Sequence, residues 1–117
     1  MKRAFLIGLL GLALAACVSA APASQRLSGT WDWQFETSAF TTDAGEGPFW
    51  LHAEGQAWED LNAPFREAGL GPWGQLRVVV EGELSEAGQY GHLGAYSRQL
   101  IVTRVVRAEL LASSPRR

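Results

Sequence analysis

With 117 residues, the chain has room for one domain. Its ten basic and twelve acidic residues give a net charge of −2, and its single cysteine excludes an internal disulfide. A chain with this charge is a poor nucleic-acid binder, because that binding depends on neutralising phosphates.

The N-terminal segment has the order of an export signal. Lys2 and Arg3 form a short basic start, and an apolar run to Ala16 follows, too short to span a bilayer comfortably. We therefore predict a signal peptide over residues 1–16. Its removal leaves eight basic residues, all arginine, against twelve acidic ones, a net charge of about −4.

The end of this signal resembles the lipobox of bacterial lipoproteins in Leu14-Ala15-Ala16-Cys17. The resemblance implies cleavage before Cys17, acylation of its thiol, and a membrane anchor at the cell envelope facing the periplasm or exterior. Val18 stands where the family's inner-membrane retention signal usually has Asp, which implies the outer membrane if the cell has one. The alternative is ordinary cleavage after Ala20, which would release a soluble protein.

Residues 17–28 are small and polar, and we expect them to form a tether between lipid and domain. We place the folded domain at residues 29–111 and a polar tail at 112–117. The first strand alternates aromatic and polar residues, so Trp31, Trp33 and Phe35 share one face. A core face is the simpler interpretation, and a platform for stacking sugars is the alternative. Residues 41–48 are predicted to be a loop.

A second short strand is predicted over residues 49–54, and a helical stripe follows. Trp58, Leu61 and Phe65 lie on one helical face, but Pro64 falls between them, so we expect two short turns or a kink. Residues 76–84 alternate as a half-buried strand, and residues 97–106 form a further strand after a glycine-rich turn.

This order predicts a mostly β fold, an OB-like barrel with one short helix between the third and fourth strands. The fifth strand would come from a bend in the first strand or from residues 40–47. A two-layer α+β sandwich is the alternative.

Within the glycine-rich turn, Tyr90-Gly91-His92-Leu93-Gly94-Ala95-Tyr96 resembles a group of small, uncharacterised bacterial exported proteins with an OB-like domain. The resemblance implies an OB-like fold and export to the cell envelope, and it identifies no catalytic residue. We expect His92 to hold the loop through backbone hydrogen bonds, with Tyr90 and Tyr96 packed beneath it. Ligand contact by these three residues is the alternative.

Aromatic and metal-binding residues give two further hypotheses. Trp50 and Trp73 lie beside loops and could stack on a carbohydrate such as a peptidoglycan fragment. His52 and Glu54 are two residues apart on one strand face, and His92 could join them at a metal. Since a zinc site usually needs three or four ligands, we favour a surface role for His52 and predict no metal and no cofactor.

Enzyme motifs are absent from the sequence: it has no G-x-S-x-G, no H-E-x-x-H and no phosphate-binding loop. We therefore predict a membrane-anchored envelope protein with a non-catalytic binding or scaffolding domain. Its expected partners are the membrane, through lipidated Cys17, and a cell-wall glycan or an envelope protein, but not a nucleic acid. A carbohydrate-binding module and an envelope metal sensor or carrier are the two alternatives.

Overall fold

The computed structural model describes residues 24–71 and 73–111. They form five strands and one α-helix: β1 (Gln25–Gln34), β2 (Thr37–Thr42), β3 (Phe49–Ala53), α1 (Gly55–Glu67), β4 (Gly74–Leu84) and β5 (Gln99–Leu110). The predicted signal peptide, Cys17, most of the tether and the tail at 112–117 lie outside the described residues. Residues 25–28, predicted as the end of the tether, belong to β1 and pair with β4. No helix in the described ranges is long and apolar enough to cross a membrane.

The strands close into a barrel in the order β1-β2-β3-β5-β4. Neighbouring strands run antiparallel except β3 and β5, which are parallel. The helix lies between the third and fourth strands of the chain. These observations confirm the predicted OB-like barrel, and the two-layer alternative is wrong.

The fifth strand is β2, and its position corrects the predicted loop. Thr41 and Thr42 pair with Thr30 and Gly29 of β1, so the loop between β2 and β3 begins only after Thr42. β1 does not bend to supply an extra strand. Instead the chain turns back sharply at Phe35 and Glu36, and Glu36 takes a positive φ of 62°.

This turn also explains the wrong prediction for Phe35. Trp31 is fully buried and Trp33 is half-buried, as expected of an inward strand face. Phe35 lies beyond the end of β1, and 68% of its surface is exposed. The alternation of the strand therefore stops one residue earlier than the aromatic pattern suggests.

The core fills the barrel and the space beneath the helix. β4 contributes every second side chain, Leu76, Val78 and Val80, in the expected alternation. Burial of these apolar side chains supplies the main driving force for folding. The buried apolar residues are Trp31, Phe40, Phe49, Leu51, Ala57, Leu61, Phe65, Leu76, Val78, Val80, Leu100 and Val102.

Helix α1 is one element rather than two short turns. It buries Leu61 and Phe65, as predicted, and Ala57 with them, while Trp58 is half-buried. Pro64 has no N–H to donate to the carbonyl of Asp60, so one internal hydrogen bond is missing, and the helix continues for only one more turn beyond it. The backbone N–H of Ala68 still donates to the carbonyl of Pro64 at 3.2 Å, which closes the last turn.

Charged side chains pair across the outside of β1, β4 and β5. Arg26 and Arg104 both donate to the carboxylate of Glu81, at 2.8 Å and 3.0 Å. Hydrogen bonds from Arg104 and then from Arg26 lower the pKa of Glu81 to about 2. Arg77 likewise donates two hydrogen bonds to the carboxylate of Asp43, and these bonds lower the pKa of that carboxyl group.

Candidate ligand-binding cleft

A cleft opens where β2 and β3 part. The two strands pair at two positions, Ala39 with Trp50 and Phe40 with Phe49. β2 begins two residues before this pairing, at Thr37, and β3 continues beyond it to Ala53. Between these diverging ends, the β1–β2 turn and the first turns of α1 lies a concave space of about 480 Å³.

Ser38 joins the two strands at the floor of the cleft. Its hydroxyl donates to the carbonyl of Leu51 at 2.7 Å and accepts the indole N–H of Trp31 at 2.8 Å. Only 7% of Ser38 is exposed. One hydroxyl thus satisfies two buried polar groups and ties β2 to β3 just beyond the end of their pairing.

Three half-buried tryptophans form the apolar walls. Trp33 lies in β1, Trp50 in β3 and Trp58 in α1, and all three line the cleft. The ring of Trp33 stacks on the buried Trp31, with centroids 5.4 Å apart and planes 11° apart. Trp58 meets Trp33 almost perpendicularly, at 5.2 Å and 85°, so the two indoles form a corner.

Trp50 is held in place by the loop between β4 and β5. Tyr96 of this loop packs on the Trp50 ring at a centroid distance of 5.2 Å and an angle of 67°. Gly91 adopts a φ of 74° and approaches so closely that a Cβ atom there would collide with the indole of Trp50. The loop therefore covers part of the outer side of β3 and limits the movement of this indole.

Two carboxylates stand at the rim of the cleft, and each contacts a histidine. The Nε2 atom of His52 lies 2.9 Å from Oε2 of Glu54 at the junction of β3 and α1. The Nε2 atom of His92 lies 3.2 Å from Oε1 of Glu36 in the β1–β2 turn. The second contact joins the β1–β2 turn to the β4–β5 loop.

The predicted ligand-binding residues occupy three different positions. Trp50 lines the cleft, whereas Tyr96 lies behind it and pairs through its backbone with Tyr90. His92 contacts Glu36 rather than the backbone groups that we expected it to bind. Trp73, 44% exposed, packs on Phe35 at 6.1 Å and does not line the cleft.

The residues proposed for a metal site do not form one cluster. His52 and Glu54 are adjacent, as their spacing predicts, but His92 contacts Glu36 instead. Within residues 24–71 and 73–111, no group of three or more His, Cys, Asp or Glu side chains is arranged to hold a metal ion.

The sequence predicts one of three further cleft residues, and only as an alternative. The period of β1 favours a core role for Trp33 and leaves a sugar-stacking platform open, whereas Trp58 follows the buried period of its helix and Glu36 has no predicted role. Both tryptophans stand near the end of a buried stripe, where a side chain can meet core on one side and solvent on the other. That end position is the signal that could have identified them.

Comparisons with protein families, with curated proteins and with solved structures find no match for this chain. The predicted resemblance to small exported bacterial proteins stays a prediction.

Proposed function

We propose that this chain is a non-catalytic ligand-binding domain held at the bacterial cell envelope by a lipid on Cys17. The observation that carries the binding function is the cleft walled by Trp33, Trp50 and Trp58. Small-molecule sites are typically concave and lined by aromatic side chains, with a few polar groups that orient the ligand. Glu36, Glu54 and His52 supply such groups at the rim.

The hydrogen bonds of Ser38 support a role without catalysis. A serine nucleophile needs a neighbouring base that takes its proton. The two partners of the Ser38 hydroxyl are an indole N–H, which only donates, and a backbone carbonyl, which is not a proton acceptor of useful basicity. Both contacts are used to hold the strands together, so this hydroxyl acts as a structural bridge.

A glycan is the second candidate ligand. Sugars stack on indole faces, and planar polar side chains such as Gln34 and Glu36 at the edge of the cleft can bind hydroxyl groups. This candidate uses Trp33, Trp50 and Trp58 rather than the predicted pair of Trp50 and Trp73. The metal-carrier hypothesis is not carried further, because the described residues bring no third ligand to His52 and Glu54.

Two tryptophan variants test whether the cleft is the binding site. We expect a ligand present at about a hundred times its Kd to stabilise the fold by about 2.7 kcal/mol, which raises the melting temperature by several degrees. Thermal melts of the full chain would be recorded with peptidoglycan fragments, neutral oligosaccharides, quaternary ammonium ions and divalent metals.

Trp50→Leu should abolish any ligand-induced rise in melting temperature, because it removes one wall of the cleft. Trp73→Leu is the matched control, since it removes an exposed tryptophan that lies elsewhere. If both variants keep the full rise, or if only Trp73→Leu loses it, the cleft is not the site.

The anchor is tested separately at Cys17. The full chain expressed in a bacterial host should be recovered with membranes and carry the added mass of acyl chains. Cys17→Ser should abolish the acylation and move the processed protein out of the membrane fraction. A soluble wild-type protein that begins after Ala20 would overturn the anchoring half of the proposal.

A further inference from the structure

The charge of the cleft is one-sided. Glu36 and Glu54 are acidic, and among the described residues that line the cleft there is neither an arginine nor a lysine. Elsewhere in the domain, by contrast, carboxylates such as Glu81 and Asp43 are bound by arginines. In the ion pairs described above, the carboxylates at the cleft contact histidines and no arginine, so no permanent cation cancels their charge.

The walls of the same cleft suit a diffuse positive charge. The face of an indole carries negative electrostatic potential, and tryptophan is the best of the aromatic side chains at attracting cations. Trp33 and Trp58 meet at 85° and present a corner, and Trp50 adds a third indole from β3. Aromatic walls with acidic groups at the rim are the combination that recognises alkylated ammonium groups in water.

We propose that this cleft binds an organic cation of the quaternary ammonium or alkylated amine class. The inference rests on the proposed binding function and names the chemical class of the ligand. The alkyl groups would contact the three indoles, and the positive charge would lie near Glu36 and Glu54.

Other ligand classes match this lining less well. An anion would meet two carboxylates and no permanent cation. An inorganic metal ion needs several lone-pair donors around it, whereas indole rings provide none. A neutral glycan could stack on the indoles but would gain nothing from the net negative charge. An organic cation uses both the aromatic walls and the acidic rim.

The two histidines determine the conditions of the test. A protonated His52 or His92 would cancel the charge of the carboxylate that it contacts, at Glu54 or Glu36. Binding is therefore measured at two values, about pH 7 and about pH 8, so that an effect of either imidazole appears as a difference between them. His92 contacts Glu36 but does not itself line the cleft, and apart from His52 and the two glutamates the lining side chains of the described part of the cleft do not carry charge.

The probe is choline, compared with 3,3-dimethylbutan-1-ol, which has the same shape but no charge. The full chain, purified in a non-ionic polyoxyethylene detergent, would be titrated with each compound and followed by tryptophan fluorescence and calorimetry. Choline should bind saturably, and the neutral isostere should bind about tenfold more weakly or not at all. Equal affinity for the two compounds would overturn the inference.

Glutamine variants locate the charge that matters. Glu36→Gln and Glu54→Gln should each weaken choline binding several-fold and leave binding of the neutral isostere unchanged. Glu67→Gln, at the far end of α1, is the matched control and should bind choline as the wild type does. Thermal melts confirm that each variant is folded. Loss of choline binding in the Glu67→Gln control to the same extent would contradict the assignment to the cleft.

A neutral oligosaccharide, N,N′,N″-triacetylchitotriose, separates this inference from the proposed function. If the oligosaccharide binds in a Trp50-dependent manner and choline does not, the cation inference is wrong and the cleft remains a binding site for glycans. If neither compound binds, the cation inference fails. The proposed function then fails too if the wider panel of ligands also leaves the melting temperature unchanged.

Discussion

The two sides of the barrel are built differently. On one side, β1, β4 and β5 are ten to twelve residues long, and β4 pairs with each neighbour at nine positions. We call this side the long-strand wall. On the other side, β2 and β3 pair at two positions and then part.

The polar groups of the two sides differ in the same way. The arginines of the long-strand wall pair with acids: two of them bind Glu81 of β4, and Arg77 binds Asp43 in the β2–β3 loop. Beside the β2–β3 opening, buried backbone is satisfied by the hydroxyl of Ser38, and the acids contact histidines instead. The continuous pairing of the long strands therefore supports the fold, whereas the interrupted pairing of β2 and β3 leaves room for the cleft.

The largest effect is expected at Ser38, which bridges the interrupted ladder. Ser38→Ala leaves the indole N–H of Trp31 without its partner in a buried position and removes the bond to Leu51. We expect the free energy of unfolding to fall by about 1–3 kcal/mol, the usual cost of an unsatisfied buried polar group. Urea denaturation followed by tryptophan fluorescence measures it.

Ser85→Ala is the matched control for this variant. The hydroxyl of Ser85 also accepts a backbone N–H, from Gln99, and donates to a carbonyl, but it lies less deeply buried. Water can replace part of its bonding, so the expected loss is smaller. Equal losses in the two variants would show that the floor of the cleft is no more dependent on its serine than an ordinary loop.

The second effect concerns the support of Trp50. Gly91→Ala should destabilise the domain and shift the fluorescence of Trp50, because the added methyl group collides with the indole. Gly94→Ala is the control: Gly94 also has a positive φ, of 66°, but a Cβ atom there meets only the flexible side chain of Gln89. The extra cost of Gly91→Ala should be about 1 kcal/mol, as is usual for overpacking.

Thermal melts and emission spectra of both glycine variants check this prediction. If the two variants lose the same stability and neither changes its emission, the loss comes from the backbone conformation alone. The β4–β5 loop would then not be responsible for positioning the third wall of the cleft.

The long-strand wall could be predicted from the sequence far better than the cleft. Alternation at Leu76, Val78 and Val80 is a local signal, since each residue faces the opposite way from the next. The helix stripe at Leu61 and Phe65 is local in the same sense. Periodicity therefore predicts both of these elements, and their order along the chain predicts the barrel and the position of the helix.

The cleft depends on contacts between residues that are distant along the chain. Glu36 meets His92 and Tyr96 packs on Trp50, and the loop conformation that brings them together leaves no periodic pattern. Trp33 continues the pattern of buried Trp31, yet the opening between β2 and β3 leaves it half-buried. The local pattern identified the residue type and face but not the point at which the pairing of two strands ends.

The smallest effect is expected on the long-strand wall, at Glu81. Because Arg104 and Arg26 lower the pKa of Glu81 from 4.5 to about 2, the folded state binds its proton less readily than the unfolded chain. Such a group stabilises the fold above its unfolded pKa, and this contribution disappears as the pH falls through the folded value.

The melting temperature of the wild type should therefore fall as the pH is lowered from about 4.5 to about 2, and that of Glu81→Gln should fall less steeply over the same window. Glu83→Gln, two residues further along β4, is the control and should keep the wild-type slope. Since Glu81 lies at the surface, solvent screens its ion pairs, and the two curves should differ only slightly. A glutamine variant whose curve parallels the wild type would mean that these arginines do not stabilise the wall. The contrast between the two sides of the barrel would then depend on backbone pairing alone.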